Sequence, residues 1–142
     1  MVAPTHAVTC DELASANLPD TRINSASIVQ AGSFTPPGLD TPLQLPTNCR
    51  VVGTTSPSIN FEVWLPLNDW NGNFHVSGND RMAGVVSYTS MASALERGYV
   101  VASTDTGHVR PDAGSFDASW ALGHPELVTD FGHRALHMTA VN

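Results

Sequence analysis

The chain has 142 residues, 42% of them hydrophobic and 13% charged, with a formal net charge of −7: the profile of one packed domain, not of a disordered chain. All six basic residues are arginines, at 22, 50, 81, 97, 110 and 134, set singly along the sequence, so no basic face exists for a phosphate backbone and nucleic-acid binding is excluded. No run of about eighteen apolar residues occurs, which excludes a membrane-spanning helix, and "MVAPTHAVTC" lacks a basic stretch followed by an apolar one, so no signal peptide is expected there.

Residues 1–57 are expected to be largely irregular and Pro-rich. "CDELASANLP" can hold one short helix, with Asp11 as N-cap and Pro19 as its stop. "INSASIVQAGSF" predicts a strand of imperfect period two. Four prolines (36, 37, 42 and 46) make "TPPGLDTPLQLPTN" a loop or extended linker. "CRVVGTTSPS" predicts a second strand with a Ser-Pro turn after it. Two cysteines, Cys10 and Cys49, are too few for an all-cysteine zinc site, and no C-x-x-C is present. A disulfide and two separate buried thiols both fit; a disulfide places maturation in an oxidising compartment.

Residues 58–142 read as a βαβα portion of a parallel-type sheet. In "INFEVWLPL" the apolar Ile59, Phe61, Val63 and Leu65 alternate with Asn60, Glu62, Trp64 and Pro66, a strand with one buried face. "NDWNGN" is a turn whose Asn-Gly pair signals a hairpin, and Phe74 to Val76 is the next strand. Tyr88, Met91, Ala92 and Leu95 form one stripe of a helix, with Ser87 able to cap its start and Gly98 its end. "YVVAST" is then a continuous apolar run, as in a strand covered on both faces. Residues 73–104 thus make a βαβ unit. A long loop follows with Phe116 and Trp120 inside it, of the kind that serves as a lid or binding loop. "ELVTDFGHRALHMTAVN" predicts a helix with Leu127, Val128, Phe131, Ala135, Leu136, Met138 and Thr139 on one side, and a βαβα order that halts on a helix calls for another strand.

Three constellations bear on chemistry. Ligands of parallel sheets sit beyond the carboxyl ends of the strands, and Gly78-Asn79-Asp80 occupies such a place, where backbone N–H groups can meet a developing oxyanion or simply turn the chain. Asp105 and His108, after the next strand, could pair for proton transfer or brace the loop by hydrogen bonds. Asp130, His133 and His137 share one predicted helix face, but H-E-x-x-H is absent and no metal is assigned to them. G-x-S-x-G, a P-loop and a dinucleotide fingerprint are all missing. The nearest candidates for a catalytic serine, Ser77 and Ser103, lie in or at the ends of strands without a glycine frame.

The segments "FEVWLPLNDWNGNF", "YTSMASALERGYVVASTDTGH" and "DASWALGHPELVTDFGHRALHMT", with the cysteines flanking "INSASIVQAGSFTPPG", resemble the tannase and feruloyl esterase family of α/β-hydrolases from Cys10 to the end. The resemblance implies an α/β fold, with residues 1–142 as the N-terminal part of a single domain cut before the nucleophile elbow. It implies a secreted or periplasmic serine esterase acting on small phenolic esters such as galloyl and feruloyl esters. The family's nucleophile, in Gly-Cys-Ser-x-Gly-Gly, its acid and base, and a lid that often holds calcium all lie beyond this portion. No triad and no cofactor is therefore expected in this chain, and activity alone is not expected. The loop at Gly78, Asn79 and Asp80 matches the family's oxyanion loop, although Asp80-Arg81 stands where the family prefers Gly-Gly, which narrows the backbone. Asp105 and His108 would lie beside the active site, and Cys10 with Cys49 matches an N-terminal disulfide of the family. The alternative is a non-catalytic binding module derived from the same fold.

Overall fold

A computed structural model describes residues 8–79, 81–109 and 116–142. The elements run α1 (Cys10–Leu13), β1 (Thr21–Val29), β2 (Gly32–Phe34), β3 (Leu43–Leu45), β4 (Asn48–Thr55), β5 (Ile59–Pro66), β6 (Phe74–Ser77), α2 (Tyr88–Leu95), β7 (Val100–Thr104), α3 (Pro125–Thr129) and α4 (Ala135–Val141). A π-turn over Asp130–Arg134 joins α3 to α4. The fold is α/β. Five strands form a mixed sheet in the order β1-β4-β5-β7-β6, and β2 pairs with β3 as a separate ribbon.

The βαβ unit stands as the sequence indicates: β6 and β7 are parallel, with Phe74 opposite Val100 and Ser77 opposite Ser103, and α2 connects them. Gly98 ends this helix region with φ +79°. A β-carbon there would also lie 2.4 Å from the Asp69 carbonyl oxygen, so both conformation and space call for glycine.

Several expectations are corrected. Asn71-Gly72 makes a turn but no hairpin, because β7 lies between β5 and β6 in the sheet. β5 is not buried on one face only. Its Trp64 is fully enclosed beneath α2 with Met91, Leu95 and Val101, while Val63 and Leu65 pack on the other face around Cys10, Cys49 and Val51. A central strand has neighbours on both faces, which simple alternation does not reveal. Of the segment expected to be irregular, residues 8–57 are described and are largely regular: β1 and β4 pair antiparallel along eight positions with one irregularity between Ile23 and Ser25, and β4 continues onto β5. The N-cap of α1 is Thr9, not Asp11. Thr9 and Glu12 form a reciprocal capping box, and the helix stops at Leu13, well before Pro19.

The Cys10–Cys49 disulfide is formed, with the α-carbons 5.7 Å apart. On the α2 face a polar cluster lies beside the apolar core. Glu62 is buried and accepts hydrogen bonds from Arg50, Trp64 Nε1 at 2.8 Å and Tyr88 Oη at 2.9 Å. Burial, then the Glu62 charge, push the Tyr88 phenol above its ordinary pKa, so it remains a donor to that carboxylate.

Candidate functional site

The carboxyl ends of β6 and β7 lie side by side, since the two strands are parallel neighbours. Two loops leave from there and are tied to each other. After β6, Gly78 is exposed, and its carbonyl accepts from Ser87 Oγ at 2.9 Å. The Asn79 carboxamide is fully engaged: Oδ1 accepts from the Val85 amide at 3.2 Å, and Nδ2 donates to the Thr104 carbonyl at 2.8 Å and to Thr106 Oγ1 at 3.4 Å. One side chain thus holds both loops, as an asparagine can because it carries donors and an acceptor together. Asp80 lies outside the described residues. Arg81 follows in the left-handed region at φ 54°, its guanidinium 4.8 Å from the centre of the Phe116 ring.

After β7, Asp105 is buried. Its Oδ1 accepts from the amides of Asn60 at 3.0 Å and Gly107 at 2.9 Å, and its Oδ2 accepts from Asn60 Nδ2 at 2.7 Å. Burial pushes this carboxyl above the ordinary aspartate range, against the pull of those hydrogen bonds and of the nearby His108. His108, also buried, instead meets the Met82 carbonyl through Nε2 at 3.1 Å and Thr106 Oγ1 through Nδ1 at 3.3 Å. A carbonyl only accepts, so Nε2 carries a proton. The imidazole stacks on Trp120 with ring centres 3.8 Å apart, and Phe131 stands edge-on at 5.6 Å. The two side chains named for proton transfer therefore have separate partners. Asp105 closes the β5–β7 end, and His108 locks the Met82 loop over β7.

The terminal helix region does not present Asp130, His133 and His137 on one face. Asp130 is buried, bonded to Arg134 at 2.9 Å, whereas His133 and His137 are exposed. The π-turn inserts a residue into the helical phase and rotates the following positions. Among the described residues no three His, Cys, Asp or Glu side chains could hold a metal ion together. Two polar atoms near His108 are buried without partners, Trp120 Nε1 and Asp130 Oδ2.

Sequence reasoning missed one chain of hydroxyls. His75 Nε2 lies 3.1 Å from Ser77 Oγ, which lies 2.9 Å from Ser90 Oγ. The i, i+2 spacing on a strand was its available signal, since such residues share a face. The pair lacks the features of an activated nucleophile: Ser77 is 5% exposed, and the His75 ring packs edge-on against Tyr99, with no carboxylate bonded to it among the described residues. Ser103, fully buried, accepts from the Ser87 amide at 3.0 Å. The arrangement supplies a backbone turn at the ends of two parallel strands, and among the described residues no serine is joined to a histidine that a carboxylate orients.

The chain is 44% identical over 137 residues to an uncharacterized esterase of Xanthomonas campestris, covering 94% of this chain and 23% of the relative. The crystal structure of feruloyl esterase B from Aspergillus oryzae aligns with a TM-score of 0.75 and 31% identity, over 93% of this chain and 27% of that one. Another esterase from Aspergillus oryzae aligns with a TM-score of 0.80 and 26% identity, over the same shares. The chain thus spans about a quarter of the length of these proteins. The family model described as tannase and feruloyl esterase matches residues 44–142, and the chain belongs to that family.

Proposed function

We propose that these residues form the carbonyl-polarising part of a carboxylic ester hydrolase for small aromatic or phenolic esters, with amides of Gly78, Asn79 and Asp80 as the oxyanion donors. The attacking serine, its histidine and its acid come from polypeptide outside the 142 residues. The observation that carries this reading is the exposed Gly78 turn at the paired carboxyl ends of β6 and β7, tied to the neighbouring loops by the Asn79 side chain. The Asn79 side chain ties down the turn from Gly78 to Asn79, and backbone donors set in advance need no rearrangement when charge develops on an ester oxygen. The Cys10–Cys49 disulfide supports maturation in an oxidising compartment, periplasmic or extracellular. The reading assigns no cofactor to this chain.

The test is turnover of methyl ferulate and methyl gallate. The chain alone is expected to stay at background, and a chimera joining it to the remainder of the Xanthomonas relative is expected to hydrolyse one or both esters. Turnover by the chain alone would move the nucleophile to Ser77 and His75 and overturn the assignment. A folded but inactive chimera, with methyl gallate binding to the chain alone in equilibrium dialysis, would favour a binding module instead.

A further inference from the structure

Ser87 stands where the sequence offers a cap for α2, yet its side chain caps nothing: no amide of the first turn bonds to it. A serine placed before a helix ordinarily uses its oxygen to accept from such an amide. Here the hydroxyl instead donates to the Gly78 carbonyl at 2.9 Å. Ser87 is itself held from both sides. Its amide donates to Oγ of the fully buried Ser103 at 3.0 Å, and the next residue, Tyr88, donates to the buried Glu62 and stacks on Trp64. The hydroxyl is thus a fixed donor beside the carboxyl end of β6.

What it fixes is the peptide between Gly78 and Asn79. A glycine leaves such a peptide wide freedom to rotate, and among the described residues no other group donates to the Gly78 carbonyl. This peptide is trans, and a trans peptide is planar with its C=O and N–H directed oppositely. With the carbonyl drawn to Ser87, the Asn79 N–H points away from Ser87. That N–H donates to nothing among the described residues, whereas the Asn79 side chain is bonded through both its oxygen and its nitrogen. A flip of the peptide would turn an acceptor, the carbonyl oxygen, to the side where a developing oxyanion needs a donor. We infer, on the reading of this turn as an oxyanion site, that Ser87 is a positioning residue: through the Gly78 carbonyl it aims the Asn79 amide at the ester oxygen.

Ser87→Ala and Ser87→Thr are compared with the unsubstituted protein, both in the chain alone and in the chimera with the Xanthomonas remainder. In the chain alone, NMR reads rotation of this peptide from the three-bond coupling between the Asn79 amide and α protons. The cross-peaks from the Gly78 α protons to the same amide give a second measure. Ser87→Ala removes no helix cap, so the chain is expected to stay folded while both values move to those of a rotating peptide. Ser87→Thr keeps the hydroxyl and is expected to keep both values. In the chimera, Ser87→Ala is expected to lower kcat for methyl ferulate or methyl gallate by about 10- to 100-fold with KM nearly constant, and Ser87→Thr to retain most of the rate. A role confined to stability would lower the melting temperature and leave the Asn79 coupling alone. Unchanged NMR values in Ser87→Ala would overturn the inference whatever the turnover, and so would changed values with kcat intact. An inactive parent chimera counts against the esterase reading, and the NMR values then still decide whether Ser87 sets the peptide.

Discussion

Asp105 is the residue whose chemistry the fold alters most directly. Its carboxylate replaces a neighbouring strand for the Asn60 amide and holds the turn at Gly107, yet burial raises its pKa despite three donors. The folded state therefore binds a proton more tightly than the unfolded chain at this site, and its contribution to stability is full below the unfolded value, about 3.9. It declines as pH rises through the elevated folded value. Asp105→Asn removes that ionisation and is expected to flatten this part of the stability–pH curve, while Asp105→Ala leaves two amides without their acceptor, at about 1 to 3 kcal/mol for each group orphaned. Urea unfolding from pH 3 to pH 8 checks both; an unchanged slope in Asp105→Asn would remove Asp105 as the source. The position of Asp105 and His108 at a strand end was legible in the sequence, because a continuous apolar run must end somewhere and polar residues mark where. Their partners were not. The Met82 carbonyl comes from 26 residues earlier and Asn60 from 45 residues earlier, and only the strand order β5-β7-β6 brings them there.

At the scale of elements, α1 shows what a covalent tie does for a segment that cannot hold itself. Four residues make too short a helix to persist by propensity or by its capping box alone, but the bond from Cys10 to Cys49, 39 residues apart, fixes it against β4. Closing a loop of that length restricts the unfolded chain by about 4 kcal/mol on the loop-entropy account. Reduction, or the double replacement of Cys10 and Cys49 by alanine, is expected to lower the melting temperature by on the order of 10 °C. Calorimetry with and without reductant measures it, and an equal midpoint would mean that packing of Leu13 alone secures the segment. The elements most legible in sequence were those with a local cause. α2 announced itself through Tyr88, Met91, Ala92 and Leu95, and its end through Gly98. Less legible were features decided by neighbours distant in sequence. Asn71-Gly72 carries a hairpin dipeptide, yet β7 separates the strands it joins. The terminal helix looked continuous, but the π-turn shifts its phase so that Asp130, Ala135 and Thr139 face inward, while Val128 and Leu136 are exposed. No residue between 130 and 134 signals that extra residue in the turn.

For the molecule as a whole, the position of the open sheet edge follows from handedness. α2 packs on the Trp64 and Val101 face, and the end of α4 lines the opposite face with Phe61 and Val63. A parallel strand reached through a helix is almost always connected by a right-handed crossover. β6 reaches β7 over one face, so a parallel strand connected through α4 over the other face would step the opposite way across the sheet and come to lie beyond β6. Its carboxyl end would then stand one strand spacing, about 4.8 Å, from the end of β6 and the exposed Gly78 turn. On the proposed function, a residue at that end would be the one to attack a carbonyl whose oxygen meets the amides of the Gly78 turn, which connects the open edge to the proposed chemistry. At present β6 is an edge strand four residues long, and an unpaired edge exchanges its outward amides readily. In the isolated chain, alternate amides of Phe74–Ser77 are expected to exchange quickly, and in the chimera with the Xanthomonas remainder to slow by at least ~100-fold. Hydrogen exchange read by NMR decides between the two edges: new protection along the outer side of β1, with β6 unchanged, would mean that the sheet grows from the other end and that the Gly78 turn has no strand beside it.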